Sequence, residues 1–541
     1  MAKADLVLKS NAVFTGLTNS IFKGGIAISG KKIAAVGSDI EIDKWIDQDT
    51  KVYEYNDSLI IPGFVDAHMH FFTGAFVSSK YMLTDLSRAH SEQECADMVG
   101  TFANEHPEYK TITGIGWFPA YWDKKDALPH RKLLDDVVSD RPVYLLSADC
   151  HTFWLNTKAL EECSVTKDTQ VTFGGIGKDE EGELTGLLFE IEAESTANEK
   201  AFLLPKQEMK ALQKEFYKKL AAHGITSTTN MSASPLLEES FYEYEAAAEL
   251  EKEGDLTVRL HLYPSLGLDT NLDKAKALRE QYSSDKLRIS GLKHFVDGVT
   301  STYSAYLLEP YKDKPETSGF SNYPPELYKK TILNANKEGF GVRLHAIGDA
   351  AVRLALDAYE ESNIQNENKN IKNCIEHIES IHPEDIPRFP KLGIIASMQP
   401  MHLILDVNEK VTRIGKERCQ YEWPFKTFIN NNATLAFGTD YPVADIDPFP
   451  NIYSAVTRRT EEGEMIGVNP QEKISIAEAL MAYTYGGACS INREDELGTL
   501  EEGKLADITV LDKNLFEISN EDILETKVKL TIMDGKVIFE G

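Results

Sequence analysis

Between Leu59 and Leu497, short apolar runs of strand character alternate with amphipathic stretches of helical period, and this alternation restricts the chain more than any other feature. Pro142 to Ser147 precedes Lys158 to Glu162, Phe340 to Ala346 precedes Ala350 to Glu361, and Thr434 to Gly438 precedes Asn451 to Thr460. Repeated βα units require a parallel sheet with right-handed crossovers. The stretch is long enough for eight of them, which favours a (β/α)8 TIM-like barrel over an open doubly wound sheet. No glycine-rich phosphate-binding motif follows any of the runs, which argues against a nucleotide site. Two long insertions, Phe72 to Arg141 and Val165 to Pro205, interrupt the alternation.

Both ends of the chain read differently. Ala4 to Ser10, Asn11 to Thr15, Gly24 to Gly37 and Lys51 to Asn56 are short strands separated by turns, and so are Ala506 to Asp512 and Val528 to Glu540, the latter folded at Asp534-Gly535. Neither end has enough strands for a stable sheet, so the two are expected to pair. The expected organisation is a β-sandwich domain built from residues 1–58 and 497–541 around a (β/α)8 barrel, with insertions, of residues 59–496.

The 541 residues carry 57 Lys and Arg against 86 Asp and Glu, a formal charge of -29, which repels phosphate backbones and anionic lipid. Neither nucleic acid nor a membrane is therefore an expected partner; a small molecule is. The first fifteen residues lack a basic segment leading into an apolar core, and the six cysteines show no paired spacing. A cytoplasmic location with reduced thiols follows as the expectation. The oligomeric state stays open, a homodimer being the commonest arrangement among soluble oligomers.

Chemistry concentrates at the ends of the strand-like runs. Ile60 to His70 (IIPGFVDAHMH) closes a strand with His68 and His70, and residues i and i+2 of a strand point to one side. His345 follows Val342 to Leu344, His377 follows Cys374 to Glu376, and Asp440 follows Leu435 to Phe437. Barrel active sites lie at the C-terminal ends of the strands. Imidazoles and a carboxylate gathered there without thiolate suit a divalent metal, Zn2+ first, with Mn2+, Fe2+ or Co2+ also compatible.

PGFVDAHMH at Pro62, HAIGD at His345, EH at Glu376 and GTD at Gly438, with the terminal GKLADITVLD at Gly503, resemble the amidohydrolase superfamily of metal-dependent hydrolases. GLKHFVDG at Gly291, DCHTFWLN at Asp149, SMQPMH at Ser397 and the Asp447 to Arg458 segment are similar to its YtcJ-like branch, which includes N-substituted formamide deformylase. The resemblance implies His68, His70 and Asp440 on one metal and His345 and His377 on a second, with Lys293 bridging as an ε-carbamate; the other reading of Lys293 is an ordinary salt-bridged lysine. It implies hydrolysis of a C–N, amide-like bond of a small molecule by a metal-activated hydroxide, with Asp440 as the proton carrier. His151 either polarises the substrate carbonyl as a second catalytic residue or is structural. Asp149, Trp154, Asn156, Asp297, Gln399 and His402 are candidate substrate contacts, although Asp297-Gly298 also reads as a turn. Trp117, Phe118, Tyr121 and Trp122 form an aromatic cluster; Trp117 and Trp122 either meet an apolar substituent or belong to the insertion's own core.

Deaminases of the superfamily place a glutamate where this chain has Gly348, a departure that favours a two-metal hydrolase. The same scaffold also acts on lactones, carbamates, cyclic imides, phosphotriesters and heterocyclic amines. A non-catalytic binding or regulatory protein is the reading from a different class, and here every ligand-type position is filled.

Overall fold

The computed structural model describes residues 3–119, 122–123, 128–171, 174–232, 242–267, 271–366 and 371–541. The chain divides into two compact units, one of Met1–Phe71, Lys214–Ser232 and Ala247–Gly541, the other of Phe72–Gln213 and Ala233–Ala246. No described helix is long and apolar enough to cross a membrane.

In the first unit the chain ends share an eight-stranded sheet. Its seam is the antiparallel pairing of Ile508–Leu511 with Leu59–Pro62, and Leu59–Pro62 in turn lies parallel to Leu6–Phe14. Val528–Met533 and Lys536–Glu540 add a hairpin whose turn residues Asp534 and Gly535 both have positive φ, the backbone a tight two-residue turn requires. Leu8, Val13, Ile26, Ile60, Val510 and Ile532 are completely buried on the core side of this sheet. Residues that read as two strands, on either side of Ser10, form the single strand Leu6–Phe14, whose register slips between Ser10 and Val13. A bulge absorbs the polar Ser10-Asn11 pair without ending the strand.

The remainder of the first unit is α/β and TIM-barrel-like. Phe64–Asp66, Ile225–Met231, Arg259–Tyr263 and Leu287–Ile289 form one parallel sheet; Leu292–Phe295, Val342–Ala346, Cys374–His377, Ile395–Met398 and Leu435–Phe437 form another. The ladders therefore make two sheets and not one closed cylinder. Backbone bonds join their edges: Lys293 N donates to Pro264 O at 2.9 Å, Ala67 N to Phe437 O at 3.0 Å and Asp440 N to His68 O at 2.8 Å. The strands are short and buried on both faces, which is why they read as continuous apolar runs. Helix Asp349–Asn366 buries Val352, Leu356 and Tyr359, spaced at helical period, and the Tyr359 hydroxyl donates to Val342 O and Cys374 O at 3.0 Å, tying two strands to one helix.

The second unit has a six-stranded sheet, in the order Gly175–Lys178, Leu184–Phe189, Thr152–Leu155, Val143–Ser147, Ile112–Trp117, Thr84–Asp85. Helix Glu92–Glu105, capped by the Ser91 hydroxyl, buries Cys95, Ala96 and Val99 against Ile112, Leu145 and Trp154.

Candidate metal centre

Parallel strands deliver their last residues to one edge, and the exit of Phe64–Asp66 is held there by Asp66. Its buried carboxylate accepts from His68 N at 3.1 Å and from the Thr439 hydroxyl at 2.7 Å, so one side chain fixes the two loops that carry His68 and Asp440. Burial pushes the Asp66 carboxyl up to about 7, against the pull of the Thr439 bonds. The His68 ring is fully buried, with Nδ1 2.5 Å from Glu376 Oε2 and Nε2 3.4 Å from Asp440 Oδ1. His70 donates from Nδ1 to Met231 O at 2.9 Å and sets Nε2 3.2 Å from the same Asp440 oxygen. On His377, Nδ1 is 3.0 Å from Gln399 Oε1. An acceptor at Nδ1 of each ring makes that nitrogen a donor.

Two groups of three ligand atoms result, each with all members within 4.8 Å of one another: His68, His70 and Asp440, and His377, His402 and Asp440. The His345 ring centroid is 4.4 Å from that of His377, and its Nε2 is 3.2 Å from Gly298 O. Lys293 is 1% exposed, and its Nζ lies 4.8 Å from the Phe295 ring centre with no hydrogen-bond partner among the described residues. Burial pushes its ammonium down to about 8, against the pull of Glu376 and Asp440. Burial likewise holds His68 and His377 well below the ordinary histidine range. It would raise Asp440, but His68 and His70 hold that carboxylate below its usual value. His377 and Asp440 have φ of 74° and 56°, left-handed backbone that costs a side-chain-bearing residue about 1–2 kcal/mol.

These residues fit a cation. His68 Nε2, His402 Nε2 and Asp440 Oδ1 are buried without hydrogen-bond partners among the described residues, and buried polar atoms that converge unpaired are satisfied by a cation held between them. Two ligands of one tetrahedral ion with bonds of about 2.0–2.1 Å stand roughly 3.3 Å apart, the spacing that His68 and His70 keep from Asp440. Glu376, behind His68, is the carboxylate partner that metal-bound histidines commonly have.

The surroundings revise several expectations. Asp297, expected as a substrate contact, has a structural role: its buried carboxylate accepts from the backbone N–H groups of Tyr306, Ile347 and Gly348 at 2.9–3.0 Å and so locks the loop after His345. Gln399 uses Oε1 on His377 and keeps a buried Nε2 donor without a partner among the described residues. His402, expected as a substrate contact, stands among the ligand-type residues. Asp66, Glu376, Arg343, Glu379 and Lys410 escaped the sequence reading. Arg343, whose Nε is 3.0 Å from Glu376 Oε1, and Glu376 are charged residues inside otherwise apolar strands, and that mismatch was the available signal.

In the second unit, Trp117, Trp122 and Trp154 are at most 2% exposed within one apolar cluster, with the Trp117 and Trp154 rings edge to face at 6.0 Å. They form the unit's core rather than a surface for a substituent. Tyr121 lies outside the described residues. Asn156 is also structural: Oδ1 accepts from Val143 N and Ala159 N at 3.0 Å, and Nδ2 donates to Val138 O and Arg141 O at 2.9 Å. Asp149 accepts from the Ser147 hydroxyl and from His151 N. Burial disfavours charge on His151, but Glu190 at 2.8 Å outweighs it and raises the ring to about 10, which favours the charged form.

The model of the amidohydrolase family matches residues 55–539. The chain is 28% identical to the putative amidohydrolase YtcJ of Bacillus subtilis, over 92% of each sequence, and 24% identical to the N-substituted formamide deformylase of Arthrobacter pascens, over 99% of this chain and 98% of that one. The crystal structure of an uncharacterized metal-dependent hydrolase from Pyrococcus horikoshii superimposes with a TM-score of 0.76 at 27% identity, covering 95% of this chain and 99% of the other. Motifs, fold and comparisons together place the chain in the amidohydrolase family of hydrolases, in its YtcJ-like branch.

Proposed function

We propose that the protein is a metal-dependent amidohydrolase that cleaves a C–N, amide-like bond of a small molecule, an N-substituted formamide being the first class to test. The scaffold we propose is a (β/α)8 barrel flanked by a β-sandwich of the terminal segments. The observation that carries the reading is the pair of imidazoles, His68 and His70, whose Nε2 atoms lie 3.4 and 3.2 Å from the same oxygen of Asp440. His68, His70 and Asp440 would hold one divalent ion, and His345 and His377 a second, with Zn2+ the first candidate and Mn2+, Fe2+ or Co2+ compatible. Lys293 would bridge as a carbamate. An amine must be neutral to add CO2, and a buried ammonium lowered to about 8 is neutral part of the time near pH 7.

When bound, the metal supplies Lewis-acid polarisation of the carbonyl and of water. Asp440 takes the proton of the attacking water and delivers it to the leaving nitrogen, which departs poorly as an anion. The Gln399 Nε2 donor is available to the substrate carbonyl oxygen. Relation to an N-substituted formamide deformylase supports the substrate class. The test is a product assay on N-substituted formamides, acyl amides and cyclic amides: amine with formate supports the reading, whereas ammonia or an acid alone points to deamination or to hydrolysis of another electrophile. Asp440→Asn should keep most of the metal and lose about 100-fold or more in kcat; near-normal turnover with bound metal overturns the role of Asp440.

A further inference from the structure

Arg343 lies on the same side of its strand as His345 and one step nearer the strand's start, because residues i and i+2 of a strand share a side. The residue is 1% exposed. Its Nη1 donates to Ala67 O at 2.6 Å, its Nε lies 3.0 Å from Glu376 Oε1, and its guanidinium carbon stands 4.7 Å over the Tyr263 ring. Ala67 O and His68 N belong to one peptide unit, and His68 N donates to Asp66 Oδ1 at 3.1 Å. The other oxygen of Glu376 meets the His68 ring at Nδ1. One guanidinium therefore touches both the main chain that leads into His68 and the carboxylate behind its ring.

We propose that Arg343 is a positioning residue for His68, fixing one edge of the Ala67–His68 peptide while it steadies Glu376 against the imidazole, so that His68 Nε2 is held beside Asp440. A peptide unit is planar, so bonds at its oxygen from Arg343 and at its nitrogen to Asp66 leave it little freedom to rotate. An ammonium would supply the same charge as a compact point, whereas the planar guanidinium presents Nε and Nη1 in a rigid fork that faces two acceptors at once. Burial argues the same way. Replacing a buried ion pair by apolar side chains is often neutral or stabilising, so geometry accounts for a guanidinium inside an apolar strand better than stability does. That His68 then meets a metal rests on the function proposed above; its placement by Arg343 does not.

The experiment measures the zinc affinity of the full-length protein by competition with a chromophoric chelator, for the wild type, Arg343→Lys and Arg343→Met, and adds crystal structures of all three without metal. Both variants are expected to bind zinc about 10–100-fold more weakly than the wild type, the effect that follows loss of a group supporting a ligand. Their crystals should show the His68 ring displaced from Asp440, which a general loss of stability would not produce. Wild-type zinc affinity in Arg343→Lys overturns the proposal, since charge alone would then suffice, and so does a His68 ring that keeps its place. Arg343→Lys retains a cation opposite Glu376 and decides the matter even if Arg343→Met does not fold. Should the wild type bind no zinc, the metal reading fails while the position of His68 in the Arg343→Lys crystal still judges this one.

Discussion

Asn156 shows how far a side chain's chemistry depends on what surrounds it. Its amide bonds four backbone groups in the second unit, three of them in buried surroundings, and leaving a buried polar group unpaired costs about 1–3 kcal/mol. Asn156→Ala should therefore lower stability by several kcal/mol while kcat per folded molecule stays within about twofold; a fall in kcat at unchanged thermal midpoint would restore Asn156 as a substrate contact. His261 offers a second test at this scale. It is buried among Arg493, Arg288 and Arg259, and burial followed by those cations holds it well below the ordinary histidine value. The unfolded chain takes up a proton below about pH 6.5 that the folded chain refuses, so stability drops as the pH falls. Between pH 7.5 and 5.5 the wild type should lose about 1.4 kcal/mol more than His261→Gln in urea unfolding. Equal losses would show that His261 is protonated in the fold.

At the scale of elements, the close approach of two strand exits controls the site. A Cβ on Gly438 would overlap the His68 amide nitrogen, so only glycine lets the chain leave Leu435–Phe437 beside His68. Gly438→Ala should displace His68 from Asp440, and a shift of the order of an ångström costs about 100-fold in kcat/KM; unaltered kinetics with a full metal complement would refute the packing argument. Gly348 is constrained similarly, since a Cβ there would overlap the Tyr306 carbonyl, which explains physically why no glutamate occupies the position. The alternation of strands and helices was legible because the parallel strands are buried on both faces, and the strand-end histidines because i and i+2 share a side. Illegible were the contacts that join distant elements. Glu376 meets His68 from 308 residues away, and no local period announces it. The segment after Phe71 read as an insertion, since a mixed sheet whose strands pair across loops leaves no regular spacing in the sequence.

At the scale of the whole chain, a formal charge of -29 complicates any test for a resident metal, because divalent ions also stabilise an acidic protein by screening its self-repulsion. The two effects differ in range and in ligand chemistry. Surface charges are largely screened beyond about 8 Å at 0.15 M salt, whereas the buried atoms of His68, His402 and Asp440 are not. Mg2+ prefers oxygen ligands, so an imidazole-rich cluster should discriminate strongly against it. Dialysis against a chelator at 0.15 M salt should therefore abolish hydrolysis and lower the thermal midpoint by several degrees. Zn2+ at 100 times its dissociation constant should restore both, a stabilisation of about 2.7 kcal/mol, and the same concentration of Mg2+ should restore neither. Recovery with Mg2+ alone, or a midpoint indifferent to Zn2+, would mean that the converging lone pairs do not form a metal site.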